Sequence, residues 1–299
     1  MTASPPPTLH SCAWCGATTD ASAGACTNCG APVDVRLNAT QSGWYELPAI
    51  KDMARIQIGR STCQIEGTYV PVADMSLAPG DGVYFTHHVL LWADPSVSLT
   101  QSSLRGGWKR MMAGLPLHML QAQGPGHIAF SRDAPGELVA LPLEQGQSVD
   151  VREHLFMVAT NTIAYDWFDA NIWYTTGSGN EQETHYPLGQ HIDRFTAQHG
   201  HGLLLLHAAG NAFVRRLQPG ETILAKPTAL LYKDTTVTLE LHFEHPSTRG
   251  WSSWRSWSNR YIWVRVHGPG RVAVQSAFEH LHDEGATVSR SSGYTRHQW

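Results

Sequence analysis

Charge is scarce in this chain. Asp, Glu, Lys and Arg make up 15% of its 299 residues, and the net charge is −4 with histidine neutral. A protein that tracks a nucleic-acid backbone needs an excess of Lys and Arg, so no nucleic-acid partner is expected. Long apolar runs are also missing. No stretch of about 18 uncharged apolar residues occurs, so no transmembrane segment is expected. The opening MTASPPPTLHSC has neither a basic n-region nor an apolar h-region, so no secretory signal is expected either. Together these absences point to a reducing cytoplasm. Cysteine is sparse, with five residues, and in that compartment they read as metal ligands plus one spare rather than as disulfides.

What is plentiful is turn chemistry. The chain has 27 Gly and 17 Pro, a composition that suits short strands and frequent turns. With 42% hydrophobic residues it can bury a sizeable core, and an all-β domain can run past 200 residues as one unit.

The first motif is CAWCGATTDASAGACTNCG. Cys12 and Cys15 form one CxxC pair, Cys26 and Cys29 a second, and a glycine follows each. Two residues between thiols let a tight turn aim both sulfurs at one ion. Four thiolates make a closed tetrahedral set with no open position, which predicts a structural zinc ribbon over residues 1–32. A redox dithiol is the competing reading, but paired motifs are more specific than one. Cys63 stands apart and reads as a small buried residue.

Three stretches then repeat one pattern: LAPGDGV from Leu77, LEQGQSV from Leu143 and LQPGETI from Leu217. Aligned on Gly80, Gly146 and Gly220, the apolar tetrapeptides VLLW, LFMV and ALLY fall at the same offset without gaps. Pro-Gly suits the two central positions of a type II turn, where glycine takes a positive φ. The tetrapeptides read as short buried strands. A second signature, Gly-x-Gly before an extended apolar run, occurs in GPGHIAF, GHGLLLL and GPGRVAV. No helical pattern follows it, so it reads as a tight corner between strands rather than a phosphate loop.

The expected fold is therefore all-β. Three repeated β units over residues 48–278 close about a pseudo-threefold axis as a β-prism-like domain, since an open array would leave unpaired edges. The zinc ribbon precedes it, residues 33–47 read as a linker, and 279–299 as a mobile tail.

Taken together, GGWKRMMAG, GPGHIAF, the Leu-x-x-Gly turns and the closing GPGRVAVQS resemble the family of altered inheritance of mitochondria protein 24. The resemblance covers roughly residues 53–276. It implies a compact β-prism-like fold related to that of the trp RNA-binding attenuation protein, and it implies no catalytic centre. The zinc ribbon and a Trp-rich C-terminal stretch depart from it.

Seventeen histidines raise the question of an enzyme. A cupin metal site wants two histidines at i and i+2 on one strand, then a Glu and a later His. His87 and His88 are adjacent, while His199 and His201 flank Gly200 at a corner. Glu181 and Glu183 read as solvated, and no nucleophile elbow is present.

The last distinctive stretch is HPSTRGWSSWRSWSNRYIW. Trp251, Trp254 and Trp257 recur every three residues, with Arg255 among them. Trp and Arg anchor protein interfaces, and they also suit a membrane–water interface or a flap over the core. The chain is thus expected to be a non-catalytic scaffold with a protein partner or self-association. A small-ligand or glycan-binding β module is the alternative, and a cupin-like metalloenzyme the remaining class.

Overall fold

A computed structural model describes residues 9–12, 17–20, 23, 25–30, 42–46, 54–103, 118–176, 182–244, 261–279 and 281. These residues hold no α-helix. The strands are β1 (Leu9–Ser11), β2 (Thr18–Asp20), β3 (Tyr45–Glu46), β4 (Ala54–Ile58), β5 (Ser61–Glu66), β6 (Val72–Leu77), β7 (Gly82–Phe85), β8 (Leu90–Ala93) and β9 (Ser98–Ser103). They continue with β10 (His118–Gln123), β11 (Gly126–Ser131), β12 (Glu137–Leu143), β13 (Ser148–Arg152), β14 (Phe156–Thr160), β15 (Ile163–Asp169), β16 (Tyr174–Thr176) and β17 (Glu183–His185). The last are β18 (His191–Ala197), β19 (Gly202–Ala208), β20 (Ala212–Leu217), β21 (Thr222–Ala225), β22 (Leu230–Asp234), β23 (Thr238–Glu244), β24 (Tyr261–His267) and β25 (Gly270–Gln275).

Contacts divide the chain into two compact units. The first comprises residues 1–147, 155–164 and 196–213; the second comprises 148–154, 165–195 and 214–299. The first unit contains a six-stranded sheet in the order β12-β19-β14-β7-β10-β9 and a five-stranded sheet in the order β4-β5-β6-β11-β8. Their apolar faces form one core in which Phe85 and Phe130 meet at 4.8 Å, surrounded by Met75, Ile128, Met157 and Leu205. Cys63 lies in this core on β5, as its isolated position implied. Burial pushes its thiol pKa up, and the Asp74 charge adds to the shift. The second unit contains a sheet running β15-β18-β13-β22-β25-β20 and a separate three-stranded sheet, β21-β24-β23. Its buried residues include Val151, Phe195, Val214, Leu231, Tyr232 and Val266.

All three Leu-x-x-Gly turns have the predicted backbone. Gly80, Gly146 and Gly220 have φ of 84°, 86° and 81°. The N–H of the next residue donates back to the residue two before the glycine: Asp81 to Ala78 (3.1 Å), Gln147 to Glu144 (2.9 Å) and Glu221 to Gln218 (3.0 Å). Two of the three Gly-x-Gly corners, those opening at Gly124 and Gly268, are places of close backbone approach, whereas Gly200 has open space where its Cβ would lie. A Cβ on Gly124 would lie 2.5 Å from the Ala78 carbonyl oxygen, and one on Gly268 would lie 2.4 Å from that of Gln218.

A further regularity was not read from the sequence. Fourteen residues after each turn glycine, a side-chain oxygen accepts the backbone N–H that opens the strand beyond the corner. Asp94 Oδ2 accepts from His127 (2.9 Å), Thr160 Oγ1 from Leu203 (3.1 Å) and Asp234 Oδ2 from Arg271 (2.8 Å). Asp and Thr share an acceptor but not a residue class, so identity matching passes over the position.

Two expectations need correction. The tetrapeptide VLLW is not a uniformly buried strand: Val89 closes a 3₁₀ turn, His87–Val89, and Leu91 and Trp92 are exposed. Its counterparts in β14 and β22 are buried as expected. His87 and His88 belong to that 3₁₀ turn rather than to a strand. The polar excursion near residue 180 is flanked by a small antiparallel hairpin, β16 with β17.

Candidate metal centre

The cysteine site is built from a hairpin and a knuckle. β1 and β2 pair antiparallel, and the Cys12 N–H donates to the Ala17 carbonyl (2.9 Å), bending the chain after β1. At the second pair, the Gly30 N–H donates to the Cys26 carbonyl (2.8 Å), and Gly30 takes a φ of 72°. Only a residue without Cβ adopts that conformation cheaply, which is why a glycine follows the CxxC. These turns aim Cys12, Cys26 and Cys29 inward. All three are buried, and their sulfurs lie within 4.8 Å of one another. Cys12 Sγ and Cys29 Sγ are 3.6 Å apart, and neither forms a disulfide.

Metal–sulfur bonds of about 2.3 Å in a tetrahedron place sulfurs about 3.8 Å apart. The Cys12–Cys29 sulfur spacing of 3.6 Å is close to a tetrahedral edge and far from the roughly 2.05 Å of an S–S bond. The three thiols are therefore close enough to bind a metal ion. Cys15, expected as the fourth ligand, lies outside the described residues, as do Trp251, Trp254, Arg255 and Trp257.

Among the described residues, no second group of three metal-ligating side chains converges in this way. The histidines singled out in the sequence do not come together. His88 Nε2 pairs with Arg132 at 2.6 Å, while His199 and His201 are exposed at their corner.

Two polar clusters in the second unit were not foreseen. In the first, Asp150 on β13 is wholly buried. It accepts from Lys233 Nζ (2.7 Å) on β22 and from Arg194 Nε (2.6 Å) and Nη2 (3.0 Å) on β18. Burial lowers the Lys233 pKa, and the Asp150 charge opposes that shift. The hydrogen bond to Asp150 raises that of Arg194. Such a lysine resembles a catalytic base in its chemistry, but its side chain is 2% exposed and has no surface on which to meet a substrate. The second cluster surrounds His191, buried with its ring edge-on to Trp167 at 4.8 Å. Asp169 lies 3.4 Å from its Nε2, and Glu153 lies 3.9 Å from its Nδ1. The two carboxylates sit at opposite ring nitrogens, so they do not converge on one ion. Asp150 meets partners 44 and 83 residues away, and His191 meets Glu153 from 38 residues away, separations that no local spacing announces.

The site and fold define a class: an all-β protein with three converging cysteines near its N-terminal end, close enough to bind a metal ion. The family described as mitochondrial biogenesis AIM24 matches residues 63–277, and the chain belongs to it. A crystal structure of a Streptococcus pyogenes protein is similar in fold, with a TM-score of 0.54 and 19% sequence identity. The match covers 73% of this chain and 94% of that one. No curated protein matches the chain.

Proposed function

We propose that this chain is a non-catalytic interaction scaffold, in which three related β units form the body and a structural zinc ribbon is appended. The observation that carries this reading is how its strongest ionic group is used. Asp150 and Lys233 pair in the interior, where a buried charge is retained only if it is paired, and the half-buried Arg194 closes on the same carboxylate. The cysteine site supports the zinc assignment, since its sulfur spacing suits tetrahedral coordination and thiolates prefer zinc over hard cations. Zinc held by Cys12, Cys15, Cys26 and Cys29 would have no open coordination position. It would fix the fold of a segment too small to build its own core.

The glycan-binding alternative has one specific support: Tyr261 and Trp263 stack at 6.1 Å on β24. Lys226 Nζ sits 4.3 Å from the Trp263 ring centroid and occupies part of that aromatic surface.

The experiment is a pull-down with the intact protein beside a chain lacking residues 1–32, together with metal analysis. One zinc per chain is expected. Cys12→Ser should release it while leaving the main thermal transition in place. A second, cysteine-independent metal, or turnover of a substrate, would end the non-catalytic reading.

A further inference from the structure

The strand pairings contain a rule that is fulfilled twice, and two strand edges stand ready for a third use. Counted from the turn glycines, β7, β13 and β21 begin at the second residue, and β8, β14 and β22 at the tenth. β7 pairs antiparallel with β14, with Val83 opposite Thr160, Tyr84 opposite Ala159 and Phe85 opposite Val158. β13 pairs antiparallel with β22, with Val149 opposite Asp234, Asp150 opposite Lys233 and Val151 opposite Tyr232. In both seams the third, fourth and fifth residues after one glycine face the fourteenth, thirteenth and twelfth after the next. A common register across seams of different sequence identifies a shared mode of pairing.

Among the described residues, β8 ends its sheet, with β11 on its inner side, and β21 ends its own, with β24 on its inner side. Each is one half of the same seam without the other half. Their side chains remain apolar although their positions are open. Leu91 is 56% exposed, Trp92 42% and Leu224 42%, whereas Phe85, Val158, Ala159, Val151 and Tyr232 in the completed seams are buried. An apolar edge with unpaired backbone groups is a template for another strand. The completed seams show which strand fits: one that follows a Leu-x-x-Gly turn. The spare strand of that kind in this protein is β21.

We propose that β8 of one copy pairs antiparallel with β21 of a second copy, placing Ile223, Leu224 and Ala225 opposite Asp94, Ala93 and Trp92. The proposal rests on the scaffold reading and names the surface through which the scaffold self-associates. Because β8 and β21 are different patches, the contact is heterologous, and it either closes into a ring or extends as a chain of copies.

The test is cross-linking between distinguishable chains. Size-tagged Ala93→Cys protein is mixed with untagged Leu224→Cys protein under mild oxidation. Directly opposed positions bring their Cα atoms to about 4.5–5.5 Å, within disulfide reach. A mixed tagged–untagged species is expected. Trp92→Cys in place of Ala93→Cys should lower its yield several-fold, since a one-residue slip turns the side chain to the other face. Absence of the mixed species would overturn the proposal, and so would a disulfide confined to single chains in the Ala93→Cys/Leu224→Cys double variant. Sedimentation gives an independent readout. The wild type should run above its monomer mass of 32.9 kDa, and Leu224→Arg should return it to that mass without losing its thermal transition. A wild type that stays monomeric at high concentration yet still captures a partner would sink the seam and leave the scaffold reading standing.

Discussion

Strands β8 and β14 occupy the same place after their turn glycines, yet their burial differs. Every residue of β14 is buried, while the two central residues of β8 face solvent. Their compositions do not explain this, since LLWA is as apolar as FMVA. The difference is in their partners. Among the described residues, β14 lies between β19 and β7, whereas β8 has β11 on one side alone. Burial of a strand is thus a property of its neighbours, and an apolar run reports only that it would be content inside.

The largest expected effect comes from placing a charge in the completed seam. Val158→Lys puts an ammonium where the wild-type side chain is 1% exposed, and it should cost more than about 4 kcal/mol, abolishing the cooperative melt. If it folded normally, β14 would not be the buried counterpart of β8.

The second seam carries an ion pair at its centre, Asp150 opposite Lys233, and Asp150→Ala is the next largest effect. It leaves Lys233 and Arg194 without their carboxylate, an expected loss of about 3–5 kcal/mol in denaturant unfolding. A loss under 1 kcal/mol would show that water takes the place of the ion pair. Adding Lys233→Met to that variant should restore part of the loss, because no cation is then left buried opposite position 150.

Smaller still is the effect of the turn that feeds the seam strands. Gly220 has no heavy atom near its missing Cβ, so a substitution there meets backbone strain and nothing else. Gly220→Val should cost more than about 1 kcal/mol, and Gly146→Val should match it. Unequal shifts in midpoint would separate the two turns that the hydrogen bonds present as equivalent.

The smallest effect on stability belongs to β8 itself. Trp92→Lys, at the position equivalent to Val158, should change unfolding free energy by no more than about 0.5 kcal/mol, because the site is open in the single chain. Its effect should fall on association, read by sedimentation. A collapse of stability with association intact would place Trp92 in a core and erase the comparison.

The sequence by itself determined what depends on a few neighbouring residues. Gly80, Gly146 and Gly220 were legible because a type II turn needs a positive φ at one position, and that need is local. The two CxxC pairs were legible because a tight turn is enough to aim two sulfurs at one point, and the sulfurs of Cys12, Cys26 and Cys29 do converge. The all-β class followed from the density of turns and the shortness of the apolar runs. The tertiary structure alone decided which of those runs acquired partners on both sides. It turned Leu91 and Trp92 of the VLLW run outward and put the preceding His87 and His88 in a 3₁₀ turn. It also brought Asp150 to Lys233 across 83 residues of chain. An ion pair such as Asp150–Lys233 joins residues far apart in the chain, and its energy depends on distance and desolvation, quantities that exist only once the chain has folded.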